Sequence, residues 1–256
     1  MIATMGQIVI SGGGTGIGLA AARLFGADGN RVHIIGRRAK VVEDAAAALN
    51  AEFGKERVVA HAADLIVPED VERVAGAVAE FGEPVDVLVN NAGGNFDASG
   101  GSGGSGSERS LADVAAGYRA NFEGNVLTAV LLTHAIIPQL ARPGGAIVTV
   151  TSIAAVRGPG SYGGSKAQLH AATFEWAASL AADGIRANAV APGFTEDTEF
   201  FGERMNADFH AGRVGQTLLK KAGTPEEIAE AITYLAGATN VTGEILHING
   251  GTTLGR

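Results

Sequence analysis

The sequence predicts an α/β fold in which a doubly wound parallel sheet carries helices on both faces. Two observations predict it. Short β-branched runs alternate with longer alanine-rich stretches whose apolar residues recur at helical spacing. A glycine-rich turn directly follows the first of those runs. Strand and helix in strict alternation imply βαβ units with right-handed crossovers, and such units build parallel sheets buried on both sides.

Seven candidate strands follow in order: Gln7–Ile10, Val32–Ile35, Val58–His61, Val85–Val89, Ala146–Val150, Ala187–Val190 and Glu244–Ile248. Helical spacing is clearest over Lys40–Phe53 and Glu69–Phe81. Thr224-Pro225-Glu226-Glu227 reads as a cap, a proline at the first helical position and two acids at the positive helix end. Gly184 is expected to stop the helix that holds Tyr162. Val126–Leu140, the most apolar stretch, is too short for a membrane span and reads as a buried helix. No composition break divides residues 1–256, so one domain is expected.

Two segments resist a regular reading. Gly93–Ser107 is rich in glycine and serine and reads as a mobile surface loop; a substrate-side flap is the alternative. Residues 193–223 carry Phe194, Phe200, Phe201, Met205 and Phe209. A connection this long at the carboxyl end of a sheet is read as a lid with an apolar inner face; simple packing of a helical excursion explains the same aromatics.

Composition limits the function. Of 256 residues, 46% are hydrophobic, and the net charge is −8. With no basic field to gather phosphates, nucleic-acid and anionic-membrane partners are not expected. The chain has no cysteine, which excludes disulfides, thiolate catalysis and Cys-based zinc sites, and no metal site is expected. The first ten residues lack the pattern of a signal peptide, and a cytoplasmic location is expected.

The glycine-rich turn, Ser11 to Gly18, lies where a dinucleotide diphosphate would sit. Gly12, Gly14, Gly16 and Gly18 permit close approach, and Thr15 and Ile17 lie at the start of a helix with free N–H groups. The second strand ends in Gly36-Arg37-Arg38 instead of the acid that would hold both ribose hydroxyls. Two arginines suit a 2′-phosphate, so NADP(H) is preferred over NAD(H). The alternative makes them a solvated helix start. Asp64-Leu65 could receive the adenine amino group, or Asp64 could cap the next helix.

Tyr162 and Lys166 are four residues apart on an expected helix and so share a face. A free tyrosine has a pKa of about 10, so acting at neutral pH needs a shift of about three units, roughly 4 kcal/mol. A nearby ammonium and an oxidised nicotinamide have the right sign to supply it. Tyr162 would then exchange a proton with the reacting oxygen, while Ser152 would hydrogen-bond that oxygen where charge develops.

In these features the chain resembles the short-chain dehydrogenase/reductase family over nearly its whole length. The matching marks are the Ser11–Gly18 turn, Asp64, Asn90-Asn91-Ala92-Gly93, Asn121, Ser152, Tyr162 with Lys166, Pro192-Gly193 and Asn249-Gly250-Gly251. The resemblance implies a seven-stranded Rossmann sheet and a catalytic tetrad of Asn121, Ser152, Tyr162 and Lys166. It implies that Asn91, Ala92 and Gly93 line the cofactor ribose, that Thr195 nears the nicotinamide amide beside Pro192 and Gly193, and that Asn121 holds a water linking Lys166 to solvent. Ser152 precedes Tyr162 by fewer residues than is usual there, and Thr151 competes for its role. The second threonine of the Pro192–Thr198 run stands one place late.

The leading expectation is an NADP-dependent carbonyl reductase or alcohol dehydrogenase for a small apolar or amphipathic substrate. A 3-oxoacyl-[acyl-carrier-protein] reductase is the first alternative; it needs basic surface near the entrance, for which Arg142 and Arg157 are the candidates. A non-catalytic NADP(H) sensor is the second. The resemblance also implies a homo-oligomer, dimer or tetramer, formed through the helices around Val126–Leu140 and Gln168–Leu180, although burial within one chain explains the same residues.

Overall fold

The computed structural model describes residues 6–96, 109–158, 160–202 and 205–254. Most of the Gly/Ser-rich stretch singled out above, residues 97–107, therefore lies outside the described residues.

Seven strands form one parallel sheet: β1 (Gln7–Ser11), β2 (Arg31–Gly36), β3 (Val58–Ala62), β4 (Val85–Asn90), β5 (Ala146–Val150), β6 (Arg186–Pro192) and β7 (Ile245–Ile248). Their spatial order is β3-β2-β1-β4-β5-β6-β7. The chain winds outward one way from β1 to β3, then returns to the other side of β1 with β4. The order reverses between β1 and β4, and there the strand ends diverge into a crevice.

The helices are α1 (Gly16–Ala27), α2 (Ala39–Phe53), α3 (Pro68–Ala79), α4 (Leu111–Phe122), α5 (Thr128–Ile136), α6 (Ala154–Arg157), α7 (Gly160–Ser179), α8 (Ala207–Gly215) and α9 (Pro225–Gly237). Strand residues alternate between two cores. Ile8, Ile10, Val32 and Ile34 pack with Phe25 of α1, Leu49 of α2 and Ile228, Ile232 and Leu235 of α9. Val9, Ile35, Leu88 and Ile147 pack with Val74 and Val78 of α3, Leu132 and Ile136 of α5, and Leu169 and Trp176 of α7. A strand buried on both faces has no solvent side to make polar, which is why apolar residues dominate β1, β2, β4 and β5 on both faces.

Thr224 caps α9, accepting from the Glu227 N–H while the Glu227 carboxylate receives the Thr224 N–H. Two helix boundaries differ from expectation. α7 stops at Ser179, and a single 3₁₀ turn, Ala181–Asp183, separates it from Gly184, which is left-handed (φ 69). α4 and α5 are joined through a π-helical turn, Glu123–Leu127, which inserts an extra residue into the helix. Among the described residues no helix is long and apolar enough to cross a membrane.

Candidate active site

An open cleft of about 1230 Å³ runs along the carboxyl ends of the strands. The expected catalytic and cofactor-binding residues line it except Gly18 and Asn121, and so does Arg157 but not Arg142.

At one end lies the β1–α1 turn. Gly12 and Gly16 have positive φ (67 and 51), and a Cβ on Gly12 would stand 2.7 Å from Asn91 Nδ2. Thr15 begins α1 without a side-chain cap, so the first N–H groups of the helix point free into the cleft. Gly18 acts behind this surface. A Cβ there would fall 2.2 Å from the Gly12 carbonyl oxygen, so its smallness lets helix and turn close on each other. Asn91 braces the turn from β4: its Nδ2 donates to the Ser11 and Gly12 carbonyls at 3.0 Å each. Ser11 Oγ in return accepts the Asn91 and Ala92 N–H groups. The side chain of Asn91 is thus consumed in support, although the residue lines the cleft. Arg37, Arg38, Asp64 and Leu65 line the same end. Asp64 caps no helix: α3 begins at Pro68, its N-cap residue Val67 makes no side-chain cap, and the Asp64 carboxylate accepts from the Ile66 N–H two residues on. This narrow, donor-rich turn fits a dinucleotide diphosphate.

Ser152, Tyr162 and Lys166 come together in the middle. Thr151 Oγ1 donates to the Val190 carbonyl at 2.9 Å and is buried, whereas Ser152 faces the cleft and hydrogen-bonds the Tyr162 hydroxyl. Of the two, Ser152 is the less buried and Thr151 has its hydroxyl committed to β6. Lys166 is 4% exposed and donates from Nζ to the Val150 carbonyl at 3.1 Å. Its Nζ stands 5.9 Å from the centre of the Tyr162 ring. Burial pushes the phenol up to about 12, partly opposed by Ser152, and pushes the Lys166 ammonium down to about 8.

Asn121 stands elsewhere. Its Nδ2 donates to the Gly117 carbonyl and to Ser161 Oγ, and its Oδ1 accepts the Phe96 N–H. The asparagine beside Lys166 is Asn125, one turn later. Asn125 holds Gly94 from both sides, donating to its carbonyl at 2.8 Å and accepting its N–H at 3.1 Å. A Cβ on Gly93 would meet Asn125 Oδ1 at 2.5 Å and Lys166 Nζ at 3.2 Å. The π-helical turn rotates Asn125 into this place. Helical phase does not single it out in the sequence, because Asn121 and Asn125 are four residues apart and share one face of an ideal helix.

Over the far side lies the excursion after β6. It is pinched shut where Thr195 pairs with Gly223, with Gly223 N–H donating to Phe194 O and Glu196 N–H to Gly223 O. Gly193 has no room for a side chain, since a Cβ would stand 2.8 Å from Asn249 Cα. Phe200 lies 5.4 Å from the Tyr162 ring, and Phe201 bridges Phe200 to Phe209 at 4.9 and 5.3 Å. Arg213 rests on Phe209 at 5.0 Å. It lines the cleft together with Gln216 and with Arg157, whose Nη1 donates to the Thr252 carbonyl. Arg142 is remote, bound to Asp183 and to the Leu140 and Ile137 carbonyls at the amino end of β5.

A nucleotide-shaped turn and a serine–tyrosine pair beside a buried lysine, in one cleft, define a nicotinamide-dependent oxidoreductase. The family model described as enoyl-(acyl carrier protein) reductase matches residues 12–253. The chain is 34% identical to a putative ketoacyl reductase of granaticin polyketide synthesis from Streptomyces violaceoruber, over 96% of this chain and 95% of that one. Among solved structures it superposes with TM-score 0.83 and 30% identity on a short-chain dehydrogenase from Burkholderia cenocepacia in complex with NADP, over 96% and 97% of the two chains. A 7α-hydroxysteroid dehydrogenase complexed with NADH and 7-oxo glycochenodeoxycholic acid matches with TM-score 0.84 and 28% identity, over 96% and 93%. The chain belongs to the short-chain dehydrogenase/reductase family, with its Rossmann sheet, and is an NAD(P)-dependent oxidoreductase acting on CH–OH and C=O groups.

Proposed function

We propose that the protein is an NADP(H)-dependent carbonyl reductase or secondary-alcohol dehydrogenase with Tyr162 as general acid and base. The observation that carries this reading is the convergence of Ser152, Tyr162 and Lys166 on one cleft whose other end holds Arg37 and Arg38. The turn from Gly12 to Ile17 would bind the diphosphate, and the arginines the 2′-phosphate. When bound, the nicotinamide supplies the hydride in reduction and accepts it in oxidation. Ser152 Oγ and the Tyr162 hydroxyl hold the substrate oxygen. In reduction Tyr162 gives its proton to the forming alkoxide, and in oxidation its phenolate takes one. Burial, only partly opposed by Ser152, leaves the phenol near 12, so it is a poor base in the free protein. Lys166 is already in place at that value, so bringing the phenol to neutrality needs about five units, or ~7 kcal/mol, from the positive charge that the oxidised cofactor adds when bound. Asn125, not Asn121, braces the backbone beside Lys166 and is assigned the tetrad's asparagine role. Phe200 and Phe201 give residues 193–223 the apolar inner face of a lid, which suits an apolar or amphipathic substrate.

NADPH oxidation across ketones, quinones and 3-oxoacyl thioesters, repeated with NADH, tests the reading. Turnover with NADPH that Tyr162→Phe abolishes, cofactor affinity being kept, is expected. Turnover that survives Tyr162→Phe would overturn it.

A second reading has one observation in its favour. Arg157 and Arg213 both line the cleft, and basic groups there would greet an acidic carrier protein bearing a 3-oxoacyl thioester. A carrier-linked substrate turned over far faster than its short thiol analogue would favour this reading.

The reading also includes a homo-oligomer, dimer or tetramer, and a cytoplasmic location. Exposed aromatics on α4 and α7, namely Tyr118, Phe122 and Phe174, support assembly through those two helices. The core-facing residues of α5, Ala129, Leu132 and Ile136, are spent inside the fold.

A further inference from the structure

Past Phe194 the excursion crosses back to the nucleotide end. Asp197 turns the chain in the left-handed region (φ 54). Thr198 follows, its Cγ2 3.5 Å from where a Cβ on Gly16 would be, directly above the diphosphate turn. Glu199 comes next and forms a two-pronged ion pair with Arg38: Nη2 donates to Oε2 at 2.6 Å and Nη1 to Oε1 at 3.3 Å. Phe200 then returns to Tyr162. Three consecutive residues thus touch the phosphate turn, the arginine of the ribose end and the phenol. Both members of the ion pair are 60% exposed, so it is screened by water and easily exchanged for a stronger anion. A phosphate monoester carries more charge than a carboxylate and offers the same two-pronged geometry.

We propose that Glu199 sets nucleotide selectivity as the resident counter-ion of Arg38. In the free protein its carboxylate holds the guanidinium and latches residues 197–202 over the diphosphate turn. A 2′-phosphate displaces the carboxylate and releases the latch, while a nucleotide with a free 2′-hydroxyl has nothing to displace it with. The selectivity for NADP(H) is therefore the difference between two anions on one arginine, and it is coupled to the position of the lid. The inference rests on the reading of Arg38 as part of a phosphate clamp.

Two probes of the ribose end separate the two ideas: adenosine 2′,5′-bisphosphate and 5′-AMP, titrated calorimetrically into the full chain. Glu199→Gln is expected to tighten the bisphosphate about three- to fivefold and to leave 5′-AMP unchanged. Hydrogen exchange over 197–202 is expected to rise when the bisphosphate binds the wild type, to stay level with 5′-AMP, and to be high in Glu199→Gln without ligand. If Glu199→Gln leaves bisphosphate affinity unaltered, shifts both probes alike, or leaves lid exchange at the wild-type level, the latch is refuted. A wild type that prefers the bisphosphate, with a preference lost in Arg38→Gln but untouched in Glu199→Gln, refutes the latch and keeps the clamp. A wild type that binds both probes equally refutes the clamp, and the latch with it.

Discussion

The sheet edge that presents Arg37, Arg38 and Asp64 is held by a buried polar chain, and acid should break it. His33 of β2 is fully buried, and its Nδ1 lies 3.0 Å from His61 Nε2 of β3. On the other side its Nε2 lies 2.8 Å from Gln7 Oε1 of β1. Gln7 Nε2 in turn donates to the Glu83 carbonyl, so Oε1 must accept and His33 carries its proton on Nε2. His61 then donates to Nδ1, and a second proton on His33 would set donor against donor. Burial first, then the neighbouring His61 and Arg31, lower His33 from 6.5 to about 3. The folded value lies below the unfolded one, so the unfolded chain binds more protons in acid and stability falls with pH. The contribution is complete above about pH 6.5 and is lost progressively toward pH 3; between pH 7 and pH 5 it amounts to about 2 kcal/mol. Urea unfolding at the two pH values measures it. His33→Gln is expected to flatten the difference by about that amount, leaving the shares of His61, His170 and His247, which burial also lowers. A pH dependence identical in wild type and variant would refute the reasoning.

Further outcomes follow from the cleft. Gly18→Ala puts a methyl group 2.2 Å from the Gly12 carbonyl; forced apart, helix and turn should lose about 1–3 kcal/mol and at least tenfold in NADPH affinity, read by thermal melting and fluorescence titration. Asn125→Ala frees Gly94 and should lower kcat and alter its pH profile, whereas Asn121→Ala, which loses Ser161 and Phe96, should lower the melting temperature and leave the profile in place. Arg213→Gln should raise KM for a carrier-linked or anionic substrate about tenfold and leave KM for a small neutral ketone unchanged, because a half-buried charge lining the cleft acts on charged partners alone.

The strands were legible because a parallel sheet between two helix layers favours short apolar, β-branched runs, and Ile8-Val9-Ile10 is one. The α9 cap was legible because the interaction spans only four residues, Thr224 to Glu227. What escaped depends on distance or on broken periodicity. Asn121 and Asn125 are equally in phase in an ideal helix, and only the π-helical turn tells them apart. Gly18 and Asn91 lie in the right motif, yet one acts as a spacer and the other as a brace, which a pattern of letters cannot distinguish from ligand contact. Arg142 looks close to the site along the chain, but it precedes β5 and so falls at the wrong end of the strand. The pairing of Glu199 with Arg38 joins residues 161 positions apart and has no local signature at all.

For Tyr162 to serve as acid and base, the charge of the bound cofactor must overcome the burial that Lys166 alone does not offset. The protein has three tyrosines, so ultraviolet titration with Tyr162→Phe as the blank isolates this one. In the free protein Tyr162 should ionise near 12, and saturating NADP⁺ should bring it toward neutrality. A phenol that still ionises near 12 in the NADP⁺ complex would contradict the account.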